Sequence, residues 1–235
     1  MTAEARVVTI SATYGAGGAA VGLLLAERLG LPFADRLIKA HGGSPPPGEG
    51  VTEAELEEEP KGPILRSLSL LSPTWNLPTA PDEAEDLPER VRHEVEASIT
   101  ALVKKGGAVI LGRGAAAAIG RDRPWAFHVR LDGPVDRRAR RGALWEGLDI
   151  DAATERLRTT DGTRARYVQR VYGCDPADRK LYHLIVDPTV ITVDACVQLL
   201  ADAANDYWAY DDGNLPGAVA RARTKAEELR ARRRE

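Results

Sequence analysis

The chain has 235 residues, 43% apolar and 29% charged, with a formal net charge of −3. This is the composition of a soluble globular protein, large enough for one α/β domain with insertions or two small domains. The acidic balance argues against a general nucleic-acid binder. No run approaches the ~18 apolar residues of a membrane span, and the start MTAEARVV lacks a signal peptide's basic and apolar regions.

The expectation is therefore a cytoplasmic protein with neither membrane nor nucleic-acid partners. Cys174 and Cys196 have neither CxxC spacing nor a paired framework, which reads as reduced, structural thiols. His41, His93, His128 and His183 show no HxxxH or HExxH spacing, so no metal site is expected.

In chain order, RVVTISA (6–12) has the β-branched run of a strand buried on both faces. Three glycines follow, and AAVGLLLAERLG (19–30) predicts a helix ended by Gly30, with Arg28 suiting the dipole of its last turn. LPFADRLI (31–38) reads as a short strand running into a helix. GGSPPPGEG (42–50) cannot be regular structure, because its prolines remove donors and its glycines favour open conformations. The acidic stretch 51–60 opens on Thr52 and Glu55, which fit a capping box, while Glu57–Glu59 reads as a solvated face. Residues 61–81 are apolar but broken by proline, so this middle part reads as an excursion from the sheet.

Residues 80–107 form an amphipathic helical pattern ending in a glycine pair. AVILGRG (108–114) is again a buried strand meeting a glycine turn, and WAFHVRL (125–131) is another strand. The Arg-dense 136–147 and the helical 150–173 follow, then a last strand in LYHLIVDPT (181–189) and a last helix at 191–208. The tail, 218–235, reads as an exposed helix fraying at its end. Strands alternating with helices predict an α/β fold with a doubly wound parallel sheet. Trp75, Trp125, Trp145 and Trp208 read as core or interface residues.

The stretch TISATYGAGGAAVG (9–22) carries the chemistry. Strand, glycine turn and helix form the setting of a phosphate-cradling loop, in which backbone N–H groups and the helix dipole favour an anion. A Walker loop also needs Lys and Ser/Thr after its second glycine. With that glycine at Gly17, Gly18 and Ala19 stand there; with Gly18, Ala19 and Ala20; with Gly22, Leu23 and Leu24. No register recovers the lysine. The loop alone is read equally well as a tight turn without a ligand.

TISATYGAGG, the following helix and LGLPFADRLI together resemble the start of the cytidylate kinase-like family. ILGRGAAA (110–117) is similar to that family's Gly-Arg-Gly element, and FHVRLDGPVDRRARR (127–141) to its strand and arginine-bearing lid. DGTRARYVQRVYG (161–173) with LYHLIVDPT resembles its Asp-x-x-Arg helix, Tyr-rich continuation and final strand. The similarity spans about residues 6–208, without the Pro-rich run and the tail.

The resemblance implies a P-loop NTPase-like fold with a five-stranded parallel core, a helical lid and acceptor-binding insertions. Residues 1–208 would form the kinase-like domain, with an acceptor-region insertion at 40–98 and a lid at 136–173, and 209–235 a charged helical tail. It implies ATP and Mg2+ as cofactors, nucleotide ligands as partners, and leaves homo-oligomerisation open. Tyr14, Gly15, Ala16, Gly17 and Gly18 would surround the donor phosphates. Asp35, Arg36 and Arg113 would receive the acceptor, with Arg113 on its monophosphate. Arg138, Arg141, Asp161 and Arg164 would serve phosphoryl transfer, where positioning and charge neutralisation dominate.

Each role has a plainer counterpart. Arg113 would be a salt-bridged strand end, Asp35 and Arg36 an ion-paired helix start, and Asp161 with Arg164 a surface pair worth under ~1 kcal/mol. Arg137 and Arg140 read as solvated, and Asp187 as a cap. The chain departs from the family's pattern at three places: Gly18 stands at the lysine, Ala20 at the magnesium-binding hydroxyl, and Ala19 where relatives often carry arginine. Gly114 replaces the aspartate of cytidylate kinase itself, which argues against cytosine specificity. Two functional expectations follow: an ATP-dependent phosphotransferase acting on a nucleoside monophosphate or related acceptor, or a catalytically impaired nucleotide-binding or assembly protein that keeps the fold.

Overall fold

A computed structural model describes residues 5–35, 87–210 and 215–232. Arg36, Trp75, the Pro-rich run, the acidic stretch and most of the expected insertion lie outside the described residues. Five strands form one sheet in the order β2-β3-β1-β4-β5: β1 Arg6–Ala12, β2 Phe33–Asp35, β3 Gly107–Leu111, β4 Ala126–Leu131 and β5 Leu184–Val186. Every pairing is parallel, so each connection must cross over the sheet. The helices are α1 Gly18–Leu29, α2 Leu87–Lys104, α3 Ala115–Ile119, α4 Val135–Glu146, α5 Ile150–Tyr172, α6 Val193–Ala209 and α7 Leu215–Arg232.

The period-two alternation of the strands sorts the core into two layers. Val8 and Ile10 of β1, Val109 of β3 and Phe127, Val129 and Leu131 of β4 pack with Val21 and Leu25 of α1 and Val197 and Leu200 of α6. The opposite set, Val7, Ala108, Ile110 and Ala126, packs with Val95 and Ile99 of α2 and Ala115 of α3. Helices therefore cover both faces, as the strand–helix alternation predicts. The α3 turn was not anticipated: four alanines in AAAAI carry no amphipathic pattern. The last strand is also shorter than its apolar run, because 3-10 turns at Arg179–Leu181 and Pro188–Val190 flank it.

A polar pair, Thr9 and His128, sits inside this core. His128, in β4, is fully buried, with Nδ1 2.7 Å from Thr9 Oγ1 and Nε2 3.2 Å from Gly120 O. A neutral ring meets both: Nε2–H donates to the carbonyl and Nδ1 accepts from the hydroxyl. Its backbone N–H donates to His183 Nδ1 at 3.0 Å. Burial lowers the His128 pKa to about 4, with the charges of His183 and Arg121 adding to the effect.

A lowered folded-state value means the unfolded chain takes up the proton first, so stability falls as pH drops from about 6.5 toward 4. Urea unfolding should show a loss of about 2 kcal/mol between pH 7 and pH 5, much reduced in His128→Gln, where His183, also lowered by burial, keeps a smaller share. A wild-type stability flat over that range would contradict this account of the core.

Candidate phosphate-binding site

Because all strands are parallel, their carboxyl ends open on one edge, where α/β proteins bind ligands. The glycine loop leaves β1 there. Thr13 N–H donates to Leu131 O and Ala16 N–H to Thr13 O, both at 3.1 Å, which closes a turn over Tyr14 and Gly15. Gly15 (φ 72°) and Gly17 (φ 77°) adopt left-handed conformations that disfavour side chains. Gly17 is also the N-cap of α1, where Ser, Thr or Asp usually accepts from the first-turn amides. A glycine supplies no acceptor, so the N-terminal amides of α1 have no side-chain cap. Tyr14 through Gly18 are buried, and the helix reaches the surface at Ala20.

The outer wall of the loop is α4, held by α5. Arg138 is buried, donating to Tyr14 O at 3.0 Å and Gly133 O at 2.9 Å and pairing with Asp161 Oδ2 at 2.7 Å. The other Asp161 oxygen accepts from Tyr14 N–H at 2.8 Å. Both backbone groups of Tyr14 are thus fixed by one ion pair between two helices. Asp132, at the end of β4, accepts from Thr13 Oγ1 at 3.1 Å and from Arg130. Burial works to raise the Asp132 carboxyl, yet hydrogen bonds from Arg130 and Gly133 N–H hold it below the usual carboxylate range.

Glycines let these parts close. A Cβ on Gly15 would lie 2.1 Å from Arg138 O, one on Gly17 2.3 Å from the Trp145 ring, and one on Gly142 2.4 Å from the Tyr14 ring. Gly18 faces the sheet instead, and a Cβ there would lie 2.5 Å from the Ala12 Cβ. Ala12 occupies the place of the first glycine in a Walker loop, six residues before the lysine. The missing lysine therefore has a local counterpart: Ala12 fills the space that a side chain at position 18 would need.

Other expected site residues gather near the same edge. Arg141 of α4 donates to Pro188 O and lies over the Trp145 ring, 4.8 Å from its centroid. Arg164 of α5 is exposed and donates to Ala12 O at 3.2 Å. Arg113 follows β3 in a turn whose three residues, Gly112, Arg113 and Gly114, all have positive φ. At φ 58° it is the one non-glycine residue of this kind among the described residues, a conformation costing about 1–3 kcal/mol. Asp35 ends β2, beside Leu111 of β3. Asp187 caps Pro188–Val190 through Thr189 N–H, as expected, and Arg140 makes an exposed pair with Asp136.

Sequence reasoning missed three contributors. Trp145, read as core or interface, is partly exposed and touches the loop; Tyr172 touches the Gly-Arg-Gly turn; Ala12 fills the lysine space. Tyr172 lies in the Tyr-rich continuation of DGTRARYVQRVYG and Ala12 stands six residues before Gly18, whereas Trp145 belongs to no motif.

The uncapped α1 terminus and the loop fit a phosphate group. Neither Ala19 nor Ala20 offers magnesium a hydroxyl, and the described residues contain no cluster of three His, Cys, Asp or Glu that could hold a metal. The described residues do not form a protein cage for magnesium. None of the described helices is long and apolar enough to cross a membrane.

A sequence model of the cytidylate kinase-like family matches residues 7–189. A cytidylate kinase from Methanopyrus kandleri is 29% identical over 84 residues, covering 36% of this chain and 44% of that protein. The chain thus aligns with less than half the length of that relative. An uncharacterized protein from Eubacterium ventriosum ATCC 27560 has a similar structure, with a TM-score of 0.58, 18% identity, and coverage of 85% of this chain and 98% of its own. A gluconokinase from Sinorhizobium meliloti 1021 superposes more loosely, with a TM-score of 0.45, 17% identity, and coverage of 88% and 98%.

The contact between positions 12 and 18 predicts a coupled pair. Gly18→Lys alone should lower stability by about 1–3 kcal/mol through overpacking. Adding Ala12→Gly should recover at least half of that loss in urea unfolding, although the glycine itself weakens the strand. Simple additivity of the two substitutions would show that Ala12 is not what excludes the side chain.

Proposed function

From the premise that the chain belongs to the cytidylate kinase-like family, we propose that it is an ATP-dependent phosphotransferase acting on a nucleoside monophosphate or a related small anionic acceptor. A kinase-like protein with a P-loop NTPase-like fold is the frame for this reading. One observation carries it: β1 and β3 are adjacent, so the glycine loop and Arg113 open side by side. Ile10 is in register with Leu111, and Gly112 N–H donates to Ile10 O at 2.9 Å. A donor phosphate at the loop and an acceptor anion at Arg113 would then share one edge of the sheet.

In this reading, the backbone amides of Gly15, Gly17 and Gly18 at the start of α1 hold the donor phosphates. An acceptor oxygen attacks the terminal phosphorus, the bond to the bridging oxygen breaks, and ADP leaves. Arg141 and Arg164, both close to the loop, supply the positive charge that a lysine would otherwise bring. Arg138 and Asp161 position the loop instead of touching substrate. Losing one preorganised charge commonly costs ~2.7–4 kcal/mol, or about 100- to 1000-fold in rate, so turnover should be slow.

A second reading, a nucleotide-binding protein with impaired catalysis, is favoured by the Ala12–Gly18 contact, which leaves no room for the lysine. Calorimetric titration with ATP, GTP and the four common nucleoside monophosphates, with and without magnesium, should be followed by a coupled ADP-release assay. Acceptor-dependent ADP release supports the enzyme. Tight binding without turnover leaves the second reading standing, and no binding at all contradicts both. Arg113→Ala should weaken monophosphate binding at least tenfold, roughly the loss of one charged hydrogen bond, while sparing ATP. Equal loss of both would remove Arg113 from the acceptor site.

A further inference from the structure

Arg113 can serve an acceptor only if its left-handed turn is held. Gly112 N–H on Ile10 O and Ala115 N–H on Gly112 O tie the start of the turn, and a further support comes from 59 residues along the chain. Tyr172, the last residue of α5, donates its hydroxyl to Arg113 O at 3.2 Å. Its ring also lies against the next residue: a Cβ on Gly114 would be 2.5 Å from Tyr172 Cε2. Tyr167, one and a half turns earlier on α5, meets the Tyr172 ring edge-on, with centroids 6.4 Å apart and planes at 80°.

We propose that Tyr172, braced by Tyr167, is the positioning residue of the acceptor site, locking the strained Gly-Arg-Gly turn so that Arg113 is presented at the sheet edge. This rests on the acceptor reading of Arg113 given above. A strained non-glycine backbone persists only where its surroundings over-determine it. Here one side chain does so twice, by a hydrogen bond to the strained residue and by contact with the glycine after it. Gly114 serves both needs, with its φ of 64° and the space it leaves for the ring. Burial raises both phenol pKa values, so each hydroxyl stays protonated and Tyr172 remains a donor. Glu96 and Arg92 of α2 act on Tyr172 with opposite sign, and the Arg113 charge works against the rise at Tyr167.

Two positions on α5 thus have separate duties. Asp161, near its middle, fixes the donor loop through Tyr14, and Tyr172, at its end, fixes the acceptor turn. A helix that touches both loops also sets the distance between them.

The test is calorimetry on the full chain, with ATP and with the nucleoside monophosphate that the wild type binds best. Tyr172→Phe removes the hydroxyl and keeps the ring. It should weaken the monophosphate about five- to tenfold, as expected for one hydrogen bond, and leave ATP affinity within about twofold. Gly114→Ala, which pushes the ring aside, should show the same selectivity. Unchanged monophosphate affinity in Tyr172→Phe, or equal weakening of both ligands, overturns the positioning role while leaving the acceptor reading intact. A wild type that binds no monophosphate overturns the acceptor reading itself, and this proposal with it.

Discussion

The ion pair between Arg138 and Asp161 is the constraint on which the candidate site depends. It joins α4 to α5, and its spare atoms grip both the carbonyl and the amide of Tyr14. A buried guanidinium without its carboxylate would be strongly destabilising, so the pair and the loop conformation stand or fall together. Everything else at the donor side follows from that grip. Gly15 must lack a side chain because Arg138 backs onto it, and Gly142 must lack one because the Tyr14 ring fills its place. Protein contacts on both backbone groups of Tyr14 fix the loop at a place where position 18 carries no lysine.

This changes what the glycines of the loop mean. In a Walker loop, glycines are explained by phosphate; here Gly15 and Gly17 are already required by the packing of α4. They would stay glycine in a protein that never met a nucleotide. The same packing leaves the start of α1 without a side-chain cap, because position 17 has no room for the Ser, Thr or Asp that would otherwise satisfy its amides. Arg141 and Arg164 lie close to the loop and Arg113 follows the adjacent strand, while the nearby carboxylates of Asp132 and Asp161 are paired with Arg130 and Arg138. Function is better argued from these groups than from the glycine count.

Much of the fold was legible in the sequence, for physical reasons. Buried parallel strands need continuous apolar runs, and RVVTIS, AVIL and AFHV supply them; Gly30, Gly147 and Gly173 mark helix ends as left-handed caps. The α3 turn was invisible because alanines carry no periodic signal, and β5 was overestimated because 3-10 turns interrupt its apolar run. At the site, spacing pointed to Asp161 and Arg164 as an i, i+3 pair, but Asp161 bonds to Arg138, 23 residues away. Long-range partners of this kind have no local signature. The same holds for Tyr172 and Arg113, and for the contest between Ala12 and Gly18 over one pocket.

A phosphate loop stripped to its backbone should still bind a nucleotide donor through its amides. An amide-resolved nitrogen–proton correlation spectrum, recorded while ATP with magnesium is titrated into the protein, tests this directly. The account predicts saturable shifts at the Gly15, Gly17 and Gly18 amides. Binding that leaves those three resonances unmoved would contradict it.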